Sequence, residues 1–235
     1  MPNPGKSIYV IQHTDGEFLG LMEDHLEGRG IAFTYIRPHA SAGRLPATLD
    51  FTDGVFLLGG GPWGTRGDHK LPTLDAEVDL AKRCLDRSIP IAGFGLGSQI
   101  LALAAGGSVE AEDLRFSVGD ACRCHDQALN GFLPQRIPQA VYMRGRPLPP
   151  PGAEILAVDD ADRPAIFQVG PEAIGFTAHP GIKSGMVEDL IMEFEESPPN
   201  ISGGLVELRR RQRDIEDALV GTMTGLVGVM RLMST

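Results

Sequence analysis

The run from Pro90 to Gln99, Pro-Ile-Ala-Gly-Phe-Gly-Leu-Gly-Ser-Gln, constrains the fold more than any other part of the chain. An apolar strand over 89–93 enters a tight glycine turn, and a helix opens at once through Ile100, Leu101, Leu103 and Ala104. Small residues flank the apex of such a turn because strand and helix pack closely there and the backbone is strained. This is the shape of a nucleophile elbow, in which a Ser or Cys stands at the carboxyl edge of a sheet. Here the apex is Gly95, which has no side chain to attack with.

The chain around this junction alternates strand and helix patterns. A buried first strand is expected over 7–12, and Phe18, Leu19, Leu21, Met22 and Leu26 pattern an amphipathic helix ended by Gly28 and Gly30. Strands follow at 31–36 and 54–58, and a helix at 71–87. Such alternation implies a mostly parallel sheet covered on both faces. Beyond the elbow the rhythm changes to short strands at 153–158, 165–169 and 173–176, separated by Pro-, Gly- and Asp-rich turns, which suggests antiparallel hairpins. A helix at 186–195 is broken by Ser197-Pro198-Pro199-Asn200, and a closing helix is expected at about 203–233. One domain over 1–235 is expected, since 235 residues suit a single α/β unit.

Composition narrows the function. A hydrophobic content of 42% with 22% charged residues is that of a soluble globular chain, no apolar stretch reaches the ~20 residues of a membrane span, and the first residues lack a signal-peptide pattern. A cytoplasmic protein without membrane contact is expected. The formal charge of −10 argues against nucleic acid, because phosphate binding wants a basic face. The basic cluster Arg209-Arg210-Arg211 with Arg213 is interleaved with Glu207, Asp214, Glu216 and Asp217, which reads as a self-paired solvated face. Three cysteines make no disulfide framework: Cys84 reads as a core residue, and Cys122-Arg123-Cys124-His125 lacks a second ligand pair for zinc. No metal and no cofactor are expected.

Three segments together resemble the class I (triad-type) glutamine amidotransferases over roughly residues 7–196. The elbow Gly93-Phe94-Gly95-Leu96-Gly97-Ser98-Gln99 is similar to the family's Gly-Ile-Cys-Leu-Gly-His-Gln. Phe176-Thr177-Ala178-His179-Pro180-Gly181 is similar to its Phe-x-x-His-Pro-Glu, and Leu57-Leu58-Gly59-Gly60-Gly61-Pro62 to its strand ending in Gly-Gly-Pro. The resemblance implies a flavodoxin-like three-layer sandwich with a mostly parallel central sheet. In the family, cysteine attacks the side-chain amide of glutamine, histidine shuttles the proton, glutamate orients the histidine and backbone amides hold the oxyanion. By position the nucleophile is vacated at Gly95 and the acid at Gly181, and only His179 survives. The oxyanion donors would be the amides of Gly61 and Leu96, with Gly60 in the same loop and Gln99 at the substrate pocket.

These departures imply a pseudoenzyme. Removing a protease nucleophile costs on the order of 10⁶ in turnover, so hydrolysis by the usual covalent route is not expected. Ser98 is a poor substitute, since it lies three residues past the apex and already in the helix. A binding or assembly subunit of nitrogen metabolism is one reading, with a small amide or amino-acid ligand and a homo-oligomer or a synthase-type protein as partner. The other is a hydrolase or lyase acting on a glutamine-like or γ-glutamyl amide, with His179 as general base toward water. Trp63 is read either as a surface aromatic or as the wall of a pocket enlarged at Gly95 and Gly181, and Arg144 and Arg146 as exposed loop arginines in preference to contacts for an anionic ligand or a partner's carboxylate. Met223, Leu226, Val227, Met230 and Met233 give the last helix more apolar surface than one face needs, which suggests self-association.

Overall fold

The structure, a computed structural model, describes residues 5–233. Its first half alternates: strand β1 (Ser7–Ile11), helix α1 (Met22–Glu27), β2 (Ala32–Ile36), β3 (Gly54–Leu57), α2 (Leu74–Asp86), β4 (Ile91–Phe94) and α3 (Leu96–Ala104). The second half is strand-rich, with β5 (Ser108–Glu110), β6 (Arg115–Arg123), β7 (Arg136–Met143), β8 (Arg146–Leu148), β9 (Glu154–Asp159), β10 (Pro164–Val169) and β11 (Ala173–Phe176). Helices α4 (Ser184–Glu193) and α5 (Ile201–Val229) close the chain.

The central sheet has the order β2-β1-β3-β4-β11-β10-β9-β6-β7. The strands from β2 to β11 are parallel, and the remainder pair antiparallel. Successive side chains on the parallel strands enter different cores. Phe56 and Leu58 face α1 and α5, whereas Val55 and Leu57 face α2 and α3. Burial on both faces explains why these strands are continuous apolar runs. The long pair β6–β7 escapes the sequence reading, since residues such as Asp120, Gln139 and Arg136 interrupt the alternation expected of a strand.

Two sequence expectations are corrected. The first helix begins at Met22 rather than near Phe18, and residues 13–21 form an irregular segment across the carboxyl edge of the sheet. The apolar end of α5 is the other. Met223, Leu226, Val227 and Met230 are fully buried within their own chain, leaving only Met233 half-exposed. Loop residue Leu129 presses on Gly225, where a Cβ would lie 2.6 Å from the Leu129 carbonyl oxygen, so the apolar surface closes the core. The arginines of α5 pair as expected of a solvated face, Arg209 with Glu188 and Arg210 with Glu207. Arg211 reaches further and clasps the buried Asp120 of β6 at 2.7 Å.

Among the described residues no helix is long and apolar enough to cross a membrane.

Candidate functional site

Strands β3, β4 and β11 are neighbours, so the glycine loop, the elbow and His179 emerge side by side at their carboxyl ends. That edge is where ligands of open α/β sheets bind. Gly95 has φ 53° and ψ −118°, in the region where glycine alone is unstrained, and its amide donates to the Phe176 carbonyl at 2.9 Å. A Cβ on Gly97 would lie 2.0 Å from the Leu57 carbonyl oxygen, so strand and helix meet too closely for any side chain there. Ser98 is buried and donates its hydroxyl back to the Gly95 carbonyl at 2.6 Å, away from any role as substitute nucleophile.

The segment from His13 to Met22 lies over this edge and engages each neighbouring position. The Glu17 carboxylate accepts the Gly61 amide, the donor assigned by resemblance to the oxyanion. The Phe18 carbonyl accepts from His179 Nε2 at 2.8 Å. Leu21 donates its amide to the Gly181 carbonyl at 2.9 Å, and a Cβ on Gly181 would lie 2.8 Å from both the Leu19 carbonyl oxygen and the Met22 amide nitrogen. The expectation of a pocket enlarged at Gly181 is therefore corrected: backbone fills that space. A Gly181→Ala variant should lose about 1–3 kcal/mol of stability from overpacking, and Gly181→Glu more, read by urea unfolding. An unchanged midpoint for both would show that the segment yields.

His179 is buried, and burial depresses it to about 4, so it is neutral near pH 7. With Nε2 donating to Phe18, its basic nitrogen is Nδ1, which is buried and has no partner among the described residues. Glu17 is moved the other way. Burial raises it to about 7, against the pull of the Gly61 amide and of His13.

Beneath this edge lies an ion pair that sequence reading missed. His13 Nδ1 donates to the Gly59 carbonyl at 2.9 Å and Nε2 meets Glu77 at 2.6 Å, with both side chains fully enclosed. Burial alone would lower His13, but Glu77, the Gly59 carbonyl and Glu17 together raise it, and with a carbonyl at one ring nitrogen and a carboxylate at the other both nitrogens donate, as in an imidazolium. Thr73 donates its hydroxyl to the other Glu77 oxygen. The available signal was position. His13 and Glu17 follow the first parallel strand directly, at the same edge as the elbow.

Gln99 donates to the Arg144 carbonyl at 2.6 Å while its own carbonyl oxygen, like the Tyr142 hydroxyl, is buried without a partner among the described residues. Tyr142 is raised well above the usual phenol range by burial, then by the carboxylates of Glu17 and Glu196. Leu96 opens α3 with its side chain against Gly60. Trp63 is half-buried, edge-on to Phe194 at 6.4 Å. Arg144 and Arg146 are not exposed. Arg144 pairs with Glu196 and donates to the Pro62 carbonyl at 3.0 Å, and the Arg146 side chain is 4% accessible. Cys122 and Cys124 are exposed, and β6 lies four strands from β4, roughly 19 Å at ordinary strand spacing. Neither can stand in for a nucleophile at Gly95.

The profile of the family described as Glutamine amidotransferase class-I matches residues 14–185. The chain belongs to that family. Among solved structures it is similar to a glutamine amidotransferase from Thermotoga maritima, at 23% identity and TM-score 0.80, with 97% of this chain and 99% of that one covered. It is also similar to a glutamine amidotransferase from Methylobacillus flagellatus, at 22% identity and TM-score 0.81, covering 96% and 95%. A Thermoplasma acidophilum protein described as a candidate component of GMP synthase aligns less closely, at 21% identity and TM-score 0.58, covering 90% and 99%. Comparison with curated proteins gives no match. The α/β fold expected from the sequence is the one these structures share.

Proposed function

We propose that this class I amidotransferase-like chain does not hydrolyse glutamine by the covalent route and serves as a binding or assembly subunit in nitrogen metabolism. The observation that carries the reading is the elbow itself. Its backbone keeps the positive-φ apex at Gly95, yet no side chain stands there to attack. Two further features agree: the Gly61 amide already has an acceptor in Glu17, and backbone occupies the place of the acid at Gly181. A synthase-type protein partner is the expected context, by analogy with the relative described as a candidate synthase component. Self-association remains part of the proposal, although the buried end of α5 offers it no surface.

The alternative, a hydrolase or lyase with His179 as base, draws no support from this arrangement. A base depressed to about 4, with one nitrogen spent on Phe18, is a weak proton acceptor near neutral pH.

Ammonia release from glutamine by the purified protein is the direct test, and none above background is expected. Turnover in the usual enzymatic range of ~1–10³ per second that vanishes in His179→Ala would overturn the proposal. A Gly95→Cys variant should fold, because a Cβ there meets only the Gly59 Cα at 3.3 Å, with a cost of about 1–3 kcal/mol for a side chain on that positive-φ backbone. It should remain inactive. Ordinary turnover in this single variant would show that Glu17 and Gly181 do not disable the site.

A further inference from the structure

The antiparallel half of the sheet carries a second cavity, and what it binds is independent of the function proposed above. A cavity of about 290 Å³ opens over β6 and β7, with the β9–β10 turn as one wall and Arg115 and Arg146 as the other. Its volume approaches the small end of ordinary ligand pockets. Gly119 leaves the floor open, and a Cβ there would point toward Asp160, 3.8 Å from its carboxylate.

The charges around this cavity are arranged unequally. Glu112 accepts from both Arg115 and Arg146, the latter through Nε at 2.9 Å and Nη2 at 2.5 Å. That leaves Arg146 Nη1, on a guanidinium that is almost wholly buried, facing Asp159 at 3.9 Å, which is too long for a hydrogen bond. Asp159 is spent elsewhere. It accepts the amides of Ala161 and Arg163 at 2.9 and 3.0 Å, and Arg163 Nε at 2.9 Å. The three guanidiniums of Arg115, Arg146 and Arg163 thus share Glu112 and Asp159, with Glu110 at 3.8 Å from Arg146 Nε, and burial together with the neighbouring Arg146 and Arg163 depresses Arg115. Asp120, also in the lining, is taken by Arg136 and Arg211, whereas Asp160 lies on the opposite wall with no ion pair among the described residues. Ser117 and Gln139 line the floor between, and their side chains make no hydrogen bond among the described residues.

The geometry points to a binding site for a short zwitterion of the α-amino acid class. The ligand carboxylate takes the unused donor of Arg146 on one wall, and its ammonium takes Asp160 on the other. Buried guanidinium donors suit a carboxylate because the charge-assisted bond is made where water competes least. A simple anion would leave Asp160 facing it, and a simple cation would leave Arg146 Nη1 without a hydrogen bond. Only a ligand with both charges satisfies the two walls at once.

Isothermal titration of the full-length protein with glycine, L-alanine, L-glutamine and L-glutamate, beside acetate and methylammonium, tests the assignment. At least one of the amino acids should bind, and acetate and methylammonium should not bind measurably at the same concentrations. Asp160→Asn, in an exposed turn and free of structural bonds, should weaken binding about tenfold to a hundredfold. Gly119→Leu should abolish it by filling the floor, with circular dichroism and melting temperature reporting that the fold survives. Gly119→Ala serves as the milder variant should leucine unfold the sheet, and should weaken binding while leaving the melting curve in place. Binding of no amino acid, binding of acetate as tight as the amino acids, or affinity unchanged in Asp160→Asn and Gly119→Ala would each overturn the inference.

Discussion

Replacing His13 with leucine should destabilise the protein by about 3–5 kcal/mol, an effect large enough to threaten folding of a domain this size. The reason lies in what the substitution leaves behind. Glu77 is fully enclosed, and His13 is its charged partner at 2.6 Å. Without the imidazolium the carboxylate keeps one hydrogen bond from Thr73 but no counter-charge, and the Gly59 carbonyl loses its donor as well. Because Gly59 opens the loop that holds Gly61, the same change should loosen the edge of the sheet where the elbow sits. A double variant, His13→Leu with Glu77→Met, removes both charges and should recover most of the loss, since apolar replacements of buried ion pairs are often neutral. Denaturant unfolding of the two variants decides the matter. A single variant within about 1 kcal/mol of the parent would mean that the pair contributes little.

The second large effect is on pH dependence, where His179 and Glu17 act with opposite signs. His179 falls from an ordinary 6.5 to about 4 on folding. Between those values the unfolded chain binds the extra proton, so this contribution is complete above pH 6.5 and is lost as pH falls toward 4. Glu17 rises from 4.5 to about 7, so the folded chain binds the extra proton between those values. Its contribution is complete below pH 4.5 and is lost as pH rises through 7. Each shift corresponds to about 3 kcal/mol, and over the shared window the two slopes largely cancel. Variants should therefore separate them. Glu17→Gln should match the parent near pH 4.5 and exceed its stability at pH 8 by up to about 3 kcal/mol. His179→Asn should show its advantage only on the acid side. His13, raised by its partners, adds to the loss on the alkaline side. Unfolding free energies measured from pH 4 to 8 that shift by the same amount at every pH in both variants would contradict the assignment.

The parts of the site that were legible are those where the backbone dictates residue type. Gly95 and Gly97 must be glycine because of a positive φ and a close strand–helix approach, so the elbow could be read from three small residues between an apolar strand and an apolar helix. The same logic placed the parallel strands, whose burial on both faces demands unbroken apolar runs. It failed at residues 13–21. Phe18, Leu19 and Leu21 have helical spacing, but Glu17, Phe18 and Leu21 bond across the sheet edge to Gly61, His179 and Gly181. Those tertiary hydrogen bonds take the place of a helical turn. It failed again on the end of α5, where spare apolar surface meets the Leu129 loop of the same chain.

By itself, then, the sequence determined the strand–turn–helix frame and the absence of a side chain at its apex, because glycine at that position is a property of residue type alone. Only the tertiary structure decided what surrounds that apex. Whether Gly181 leaves a cavity or receives the Leu19–Met22 backbone depends on atoms far apart in sequence, as does the pairing of His13 with Glu77 sixty-four residues away. Pair interactions of this kind follow from distance and burial, and neither is a property of any residue read singly.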